Sequence, residues 1–400
     1  MKYFHNNSSL GKFCFLLLSV SLLVGFYFGE TASGIGAKAD FYNYWPYTLA
    51  LKENFYVNGS KFGTLHLPVH HMLLAYLDLI INDRYFVRLL FCVFSICLPY
   101  LFYLNLKTKF VSVSKNNLLC FASLIFILPS FRYSAIWANG HVTALIFFLL
   151  STFFFLKWEK ENSYKRININ IILQVIFLAL SVYTRQYYAL LFVYFMIIYF
   201  QKLRFKTFLY LSVIVSLLTL PGLWIIYDSP GVLNLTFSTK LATSLLVNSS
   251  IISFFLIPIF FLLYLNNRQI FIGKKKTFLS LIFLSFVLVV FFSSSFDYNF
   301  KIGGGFLLKL SVFLFENNYL FYLSSIFGFI FIIYLCLQDK NNYIMFLILL
   351  FGFSAYMIFQ KYFEPMILFI FFLIIKSNLP EEFLKNYKNI LFLYIYVLFY

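Results

Sequence analysis

Charge is scarce in this chain of 400 residues: 11% of positions are charged, and only 14 residues are acidic. A soluble domain carries about 25% charge and about 45–50% apolar residues. The 62% hydrophobic content here therefore argues against a water-soluble fold. Cysteine is sparse too. Cys14, Cys92, Cys97, Cys120 and Cys336 lie in or beside apolar runs without metal-ligand spacing, so no disulfide framework and no zinc site follow. Polar–apolar alternation is missing as well. The run from Leu281 to Phe292 is apolar at nearly every position, which excludes the strand pattern of a membrane barrel. The formal charge of +17 is spread among loops rather than gathered on one segment, so nucleic acid is not an expected partner. There is no repeat of fixed period, and no pair of interrupted helices in matching halves marks a transporter.

What the chain does have is long apolar runs, about a dozen of the roughly 20 residues that a bilayer-spanning helix needs. Only helices satisfy their own backbone in lipid. The expected fold is therefore all-α: a polytopic transmembrane helical protein of about 12 spans forming one domain over residues 1–400. The first span runs from Lys12 to Phe28; the small residues Ala32-Ser33-Gly34 that follow it resemble a signal-peptide cleavage site, but an uncleaved helix suits a multi-pass chain better. Further spans are expected at 87–104, 118–131, 141–156, 168–184, 187–200, 207–227, 245–265, 277–293, 319–337, 343–360 and 365–376. The tail, 377–400, holds a short apolar segment, Leu391 to Tyr400, that is an incomplete span at most.

Alternate loops carry the bases. Lys107, Lys109 and Lys115 share one loop, and Lys157, Lys160, Lys165 and Arg166 the next. Lys202, Arg204 and Lys206 follow, then Arg268, Lys274, Lys275 and Lys276. Basic loops stay cytoplasmic, which puts the N-terminus inside and the loop over 29–86 outside. Within that loop, Leu67 to Ile81 is apolar but broken by His70, His71 and Asp78; it reads as an interfacial helix.

Nine acids fall on the expected outer face: Glu30, Asp40, Glu53, Asp78, Asp83, Asp228, Asp297, Glu316 and Glu364. Asp40 precedes a stretch, Phe41 to Lys52, that suits a short helix lined by Tyr42, Tyr44, Trp45 and Tyr47. Aromatic rings around an acid suit a sugar, which offers an apolar face and a rim of hydroxyls. The same residues also read as an interfacial aromatic belt with an N-cap aspartate. Gly303-Gly304-Gly305 lacks the strand and helix that frame a nucleotide loop and reads as a flexible outer loop. Lys240 and Lys301 are weaker phosphate candidates. Glu364 at the mouth of a span is costly unless paired, with Lys361 or Arg185 as possible partners. His70 and His71 are neighbours that face different ways on a helix, so no metal site is assigned.

The order of parts resembles the GT-C class of polytopic glycosyltransferases, which take sugar from a polyprenyl-phosphate carrier. Asp40 follows the first helix, and His66-Leu67-Pro68 stands where that class has a His-Pro-Pro-like segment. Arg84 and Arg88 open the second span; Arg185 and Gln186 close a helix, as in the dolichol-linked glucosyltransferases. Lys361, Tyr362, Glu364 and Pro365 resemble a late Arg-Tyr-x-x-Pro motif. The layout covers about residues 12–375, though the motifs are short. The paired acids of many relatives are absent, since Phe41 follows Asp40, and Asn139 and His141 stand where a second acid is often found.

The resemblance implies an inverting sugar transfer on the outer face of a plasma membrane, from a polyprenyl-phosphate-linked donor to a glycan or lipid acceptor of the cell envelope. It implies Asp40 as general base, with Arg185, Gln186 and Lys240 binding the donor phosphate. Tyr44, His66, Arg88, His141, Tyr362 and Glu364 would bind substrate. No cofactor is implied, and a divalent metal stays open. An O-antigen-like polysaccharide polymerase is the main alternative, but it would concentrate its elaborate loop later in the chain. A lipid-linked sugar flippase fits less well, because the spans hold almost no ionisable residues mid-helix.

Overall fold

The computed structural model describes residues 9–31, 36–64, 66–161, 167–229, 240–266, 275–301, 303–352 and 357–400. Ala32-Ser33-Gly34, Lys165, Arg166, Arg268 and Lys274 lie outside the described residues. The chain divides into two compact units, Met1–Leu233 and Asn234–Tyr400. Both are helical, and no strand occurs among the described residues.

The first unit contains α1 (Ser9–Tyr27), α2 (Gly36–Glu53), α3 (Val69–Ile81), α4 (Arg84–Ser95), α5 (Cys97–Lys109) and α6 (Lys115–Ser123). It continues with α7 (Pro129–Ile136), α8 (Gly140–Glu161), α9 (Ile169–Val182), α10 (Ala189–Lys202) and α11 (Phe205–Asp228). The second unit contains α12 (Leu241–Asn266), α13 (Lys275–Ser293), α14 (Phe306–Phe315), α15 (Tyr319–Cys336) and α16 (Asn341–Phe351). The short α17 (Met366–Phe369) runs into a π-turn over Ile370–Ile374, followed by α18 (Leu379–Lys385) and α19 (Tyr387–Leu398).

Six helices among the described residues are long and apolar enough to cross a membrane, or up to eight if each of two bent pairs is one span. α11 makes the physical case. It is 24 residues of mostly apolar side chain, and Leu211 is its buried residue, while Leu217, Leu220, Leu223 and Trp224 stand exposed. An apolar surface of that size is untenable in water and ordinary in lipid. Other expected spans are shorter helices: α9 has 14 residues and α16 has 11. The run expected as one span over 118–131 is a pair of segments bent by 67° at Leu128. Pro129 causes the break, having no N–H to donate and clashing with the preceding turn; it then serves as the first residue of α7.

The α8–α9 pair places the first unit's site. Ser181 donates to the Ala144 carbonyl and Gln174 to the Ser151 hydroxyl, so the two helices run antiparallel. The start of α8 thus lies beside the end of α9. Lys157 and Lys160 stand at the other end of α8, about 30 Å away at 1.5 Å per residue, where Lys202 pairs with Glu159.

α3 begins at Val69 and turns its polar side inward. His70, His71, Leu74, Ala75 and Asp78 are buried, while Tyr76, Leu79 and Ile80 are exposed. Asn82 ends it in the left-handed region, and Asp83 caps α4 by accepting from the Phe86 N–H. The triple glycine of the second unit is no loose loop. All three glycines are buried at positive φ, and a Cβ on Gly303 would fall 2.7 Å from the Ile358 carbonyl oxygen. Gly304 donates to that carbonyl, and Gln360 Oε1 accepts from the first N–H of α14, a helix that is not among the expected spans.

Candidate functional site

α2 starts at Gly36, five residues before the expected Phe41, so Asp40 lies inside its first turns. It is not the helix cap that residue type alone allowed. Its carboxylate faces the junction between α7 and α8, where Asn139 Nδ2 approaches Asp40 Oδ2 at 3.4 Å. Ala138 takes a positive φ there, which lets Asn139 N–H return to the Ser134 carbonyl. The orientation of the Asn139 amide is dictated by its partners. Its Oδ1 accepts from Arg185 Nη2 at 2.9 Å and from the His141 N–H at 3.0 Å, leaving Nδ2 for the acid.

Arg185 follows α9 in extended backbone and is 7% exposed. Its other terminal nitrogen, Nη1, donates to the His66 ring at 2.6 Å. The loop before α3 sets His66 in place: Gly63 turns the chain at positive φ, and the Thr64 hydroxyl accepts from the His66 N–H. Val69 N–H donates to the Tyr183 carbonyl, fastening α3 to the end of α9. Four separate stretches of chain thus meet in one line: Asp40, Asn139, Arg185, His66.

This line borders a cleft also lined by Tyr44 and His71, with about 30 Å³ of interior space. That is room for a water molecule or two; a sugar would have to seat at the mouth or open the cleft. Tyr44 sets its ring edge against both His66 and His71. Burial, then the Asp40 charge, pushes the Tyr44 phenol above its ordinary range, so it stays a hydrogen-bond donor. Behind it, His70 donates from Nε2 to the Ala138 carbonyl and pairs with the Thr143 hydroxyl. His71 pairs with the Thr48 hydroxyl. Burial holds His70 well below the ordinary imidazole range, and burial with the nearby Arg185 charge takes His71 down to about 3. Both histidines are neutral wall, not charge.

Comparison with protein-family models, with curated proteins and with solved structures finds no match to this chain.

The structure thus brings Asp40, Tyr44, His66 and Arg185 into one cleft in the first unit. His141 sits behind Asn139, with Nδ1 3.2 Å from the Tyr187 hydroxyl. Gln186 opens the 3₁₀ turn after Arg185 and does not line the cleft. Arg88 is also outside the lining, stacked 4.1 Å over the Trp137 ring. Lys240, Tyr362 and Glu364 belong to the second unit. Lys240 pairs with Asp297 at the surface. Tyr362 packs on Phe359, and Glu364 is fully buried before Met366. Lys361 lies over the Phe359 ring.

Several acids of the expected outer set are taken up by the fold. Glu30 holds Arg132 with both carboxylate oxygens, Asp78 binds Lys52, and Asp228 accepts from Tyr56. Among the described residues, no three of His, Cys, Asp and Glu gather as a metal-ligand group. Asn139 is the candidate that residue type hid; the signal for it was its place in the loop where the GT-C class, which the sequence resembles, often carries a second acid.

Proposed function

We propose that the chain is an inverting glycosyltransferase of the GT-C kind, using Asp40 as general base and Arg185 to bind the phosphate of a polyprenyl-phosphate-linked sugar. What supports this reading is that Asp40 and Arg185, remote in sequence, border one cleft and are joined through Asn139. The acceptor hydroxyl attacks the anomeric carbon while Asp40 takes its proton. The bond from that carbon to the phosphate oxygen breaks on the opposite side, inverting the centre, and polyprenyl phosphate leaves. Arg185 meets the leaving charge with a planar fork of donors in a site largely closed to water. His66 holds Nη1 until a phosphate oxygen replaces its ring nitrogen.

The reading carries a finer topology with it: about 12 crossings, shorter helices included, a cytoplasmic N-terminus and the cleft on the outer face of a plasma membrane. The spacing of the basic loops supports it, since Lys157, Lys160 and Lys202 lie at the opposite end of α8 from Asn139.

Donor binding tests the assignment of Arg185. Arg185→Ala is expected to weaken binding of a radiolabelled polyprenyl-phosphate sugar by about tenfold or more, the worth of a charge-assisted pair, with Arg185→Lys recovering part. Equal donor binding by wild type and Arg185→Ala would remove Arg185 from the site.

A further inference from the structure

A second basic cluster lies at the start of α4, away from the cleft lining. Arg84 and Arg88 stand one helical turn apart, and Lys38 reaches the same place from α2. Their charged heads lie over two aromatic rings. Arg88 lies 4.1 Å and Lys38 5.3 Å from the centroid of Trp137; Arg84 lies 4.7 Å from that of Tyr42. The two rings are 6.1 Å apart. Phe26 and Tyr85 complete the box around the Arg88 guanidinium.

Arg88 is 8% exposed, and its Nε is buried without a hydrogen-bond partner. Nearby acids are engaged: Glu30 by Arg132, Asp83 as the cap of α4, Asp40 by Asn139. Among the described residues, no ion pair joins Lys38, Arg84 or Arg88 to an acid. Like charges one turn apart disfavour a helix, and a desolvated guanidinium without a counter-charge is costly. Ring faces offset only part of that cost. Three cations with donors to spare call for an anion rich in acceptor oxygens, and phosphate matches the Arg fork.

The cluster also lies at a telling depth. Arg84 is the first residue of the apolar helix Arg84–Lys109, and Phe26 is in the last turn of Leu10–Tyr27; both are candidate spans. Exposed Tyr27, Phe28, Tyr85 and Phe86 surround the place, as aromatic belts do at headgroup level. We infer that Lys38, Arg84 and Arg88 form a binding site for a phosphate ester, supplied by the headgroup of a membrane lipid. None of the three lines the Asp40 cleft, and the inference does not depend on the chemistry there.

Native mass spectrometry of the full chain in detergent, titrated with dioleoyl-phosphatidylglycerol, tests it. Lys38 and Arg84 are exposed, so Lys38→Ala with Arg84→Ala leaves the buried box intact. The double variant is expected to bind the lipid about tenfold more weakly or worse, and Arg88→Lys to bind at an intermediate level. Dioleoylglycerol, which lacks the phosphate, is expected not to compete. Competition by inorganic phosphate at matching concentration supports the anion site but moves its source from lipid to free phosphate. Unchanged lipid binding in the double variant, or equal binding of dioleoylglycerol, overturns the inference and leaves the cluster as an aromatic clamp.

Discussion

Asn139 joins the acid and the arginine of the cleft through one small amide. Its carbonyl oxygen is held by Arg185 and by the His141 N–H, so its amino group must point at Asp40. Asn139→Ala is expected to lower turnover by about 10- to 100-fold through misplacement of both partners, with thermal stability reduced by a smaller margin. Unaltered steady-state turnover in that variant would show that Asp40 and Arg185 find their positions without it. Asp40, Arg185 and His66 stood out through the resemblance in the order of parts to the GT-C class, which residue type alone did not supply. Residue type could not single out Asn139, since asparagine before a helix is commonplace and its contacts reach Asp40 and Arg185 across long stretches of chain. The same holds for Arg88, whose aromatic box is assembled from α1, α4 and the residue that follows α7.

At the scale of elements, α3 shows how an amphipathic segment serves the site. The buried His70 and His71 form part of its inner face, and Gly140 makes room for His70: a Cβ there would come within 3.1 Å of the His70 ring. Both imidazoles are depressed in the folded state and ordinary in the unfolded one. The unfolded chain therefore binds more protons below pH 6.5, and stability is lost as pH falls from 6.5 towards 3. The limiting slope is about 1.4 kcal/mol per pH unit for each histidine. Thermal unfolding in detergent between pH 7.5 and 4.5 is expected to show this decline, and His71→Gln to flatten it; an identical slope in the variant would contradict the account. The existence of α3 and most other helices followed from the apolar runs. Their breaks did not, because Pro129 sits within an otherwise continuous apolar run and Gly303–Gly305 looks like a loop until its close packing on Ile358 is known.

For the whole molecule, helix polarity ties the cleft to one side of the first unit. α8 leads from Asn139 and Gly140 to Lys157 and Lys160, so these positions should meet opposite aqueous compartments. In a cysteine-free background, Lys38→Cys is expected to react with an impermeant maleimide from outside the cell and Lys160→Cys only after permeabilisation. Labelling of both from the same side would refute the threading. All-helical membrane character was plain from composition, whereas the division into two units depends on contacts between remote segments. In the proposed reaction Asp40 removes a proton during sugar transfer. Asp40→Asn keeps the size of the side chain and its acceptor oxygen for Asn139 while losing the base. Transfer from a labelled polyprenyl-phosphate sugar by purified protein in membranes is predicted to fall by about 10²- to 10⁴-fold, with donor binding and thermal stability close to wild type. Near-wild-type transfer by Asp40→Asn would contradict the account.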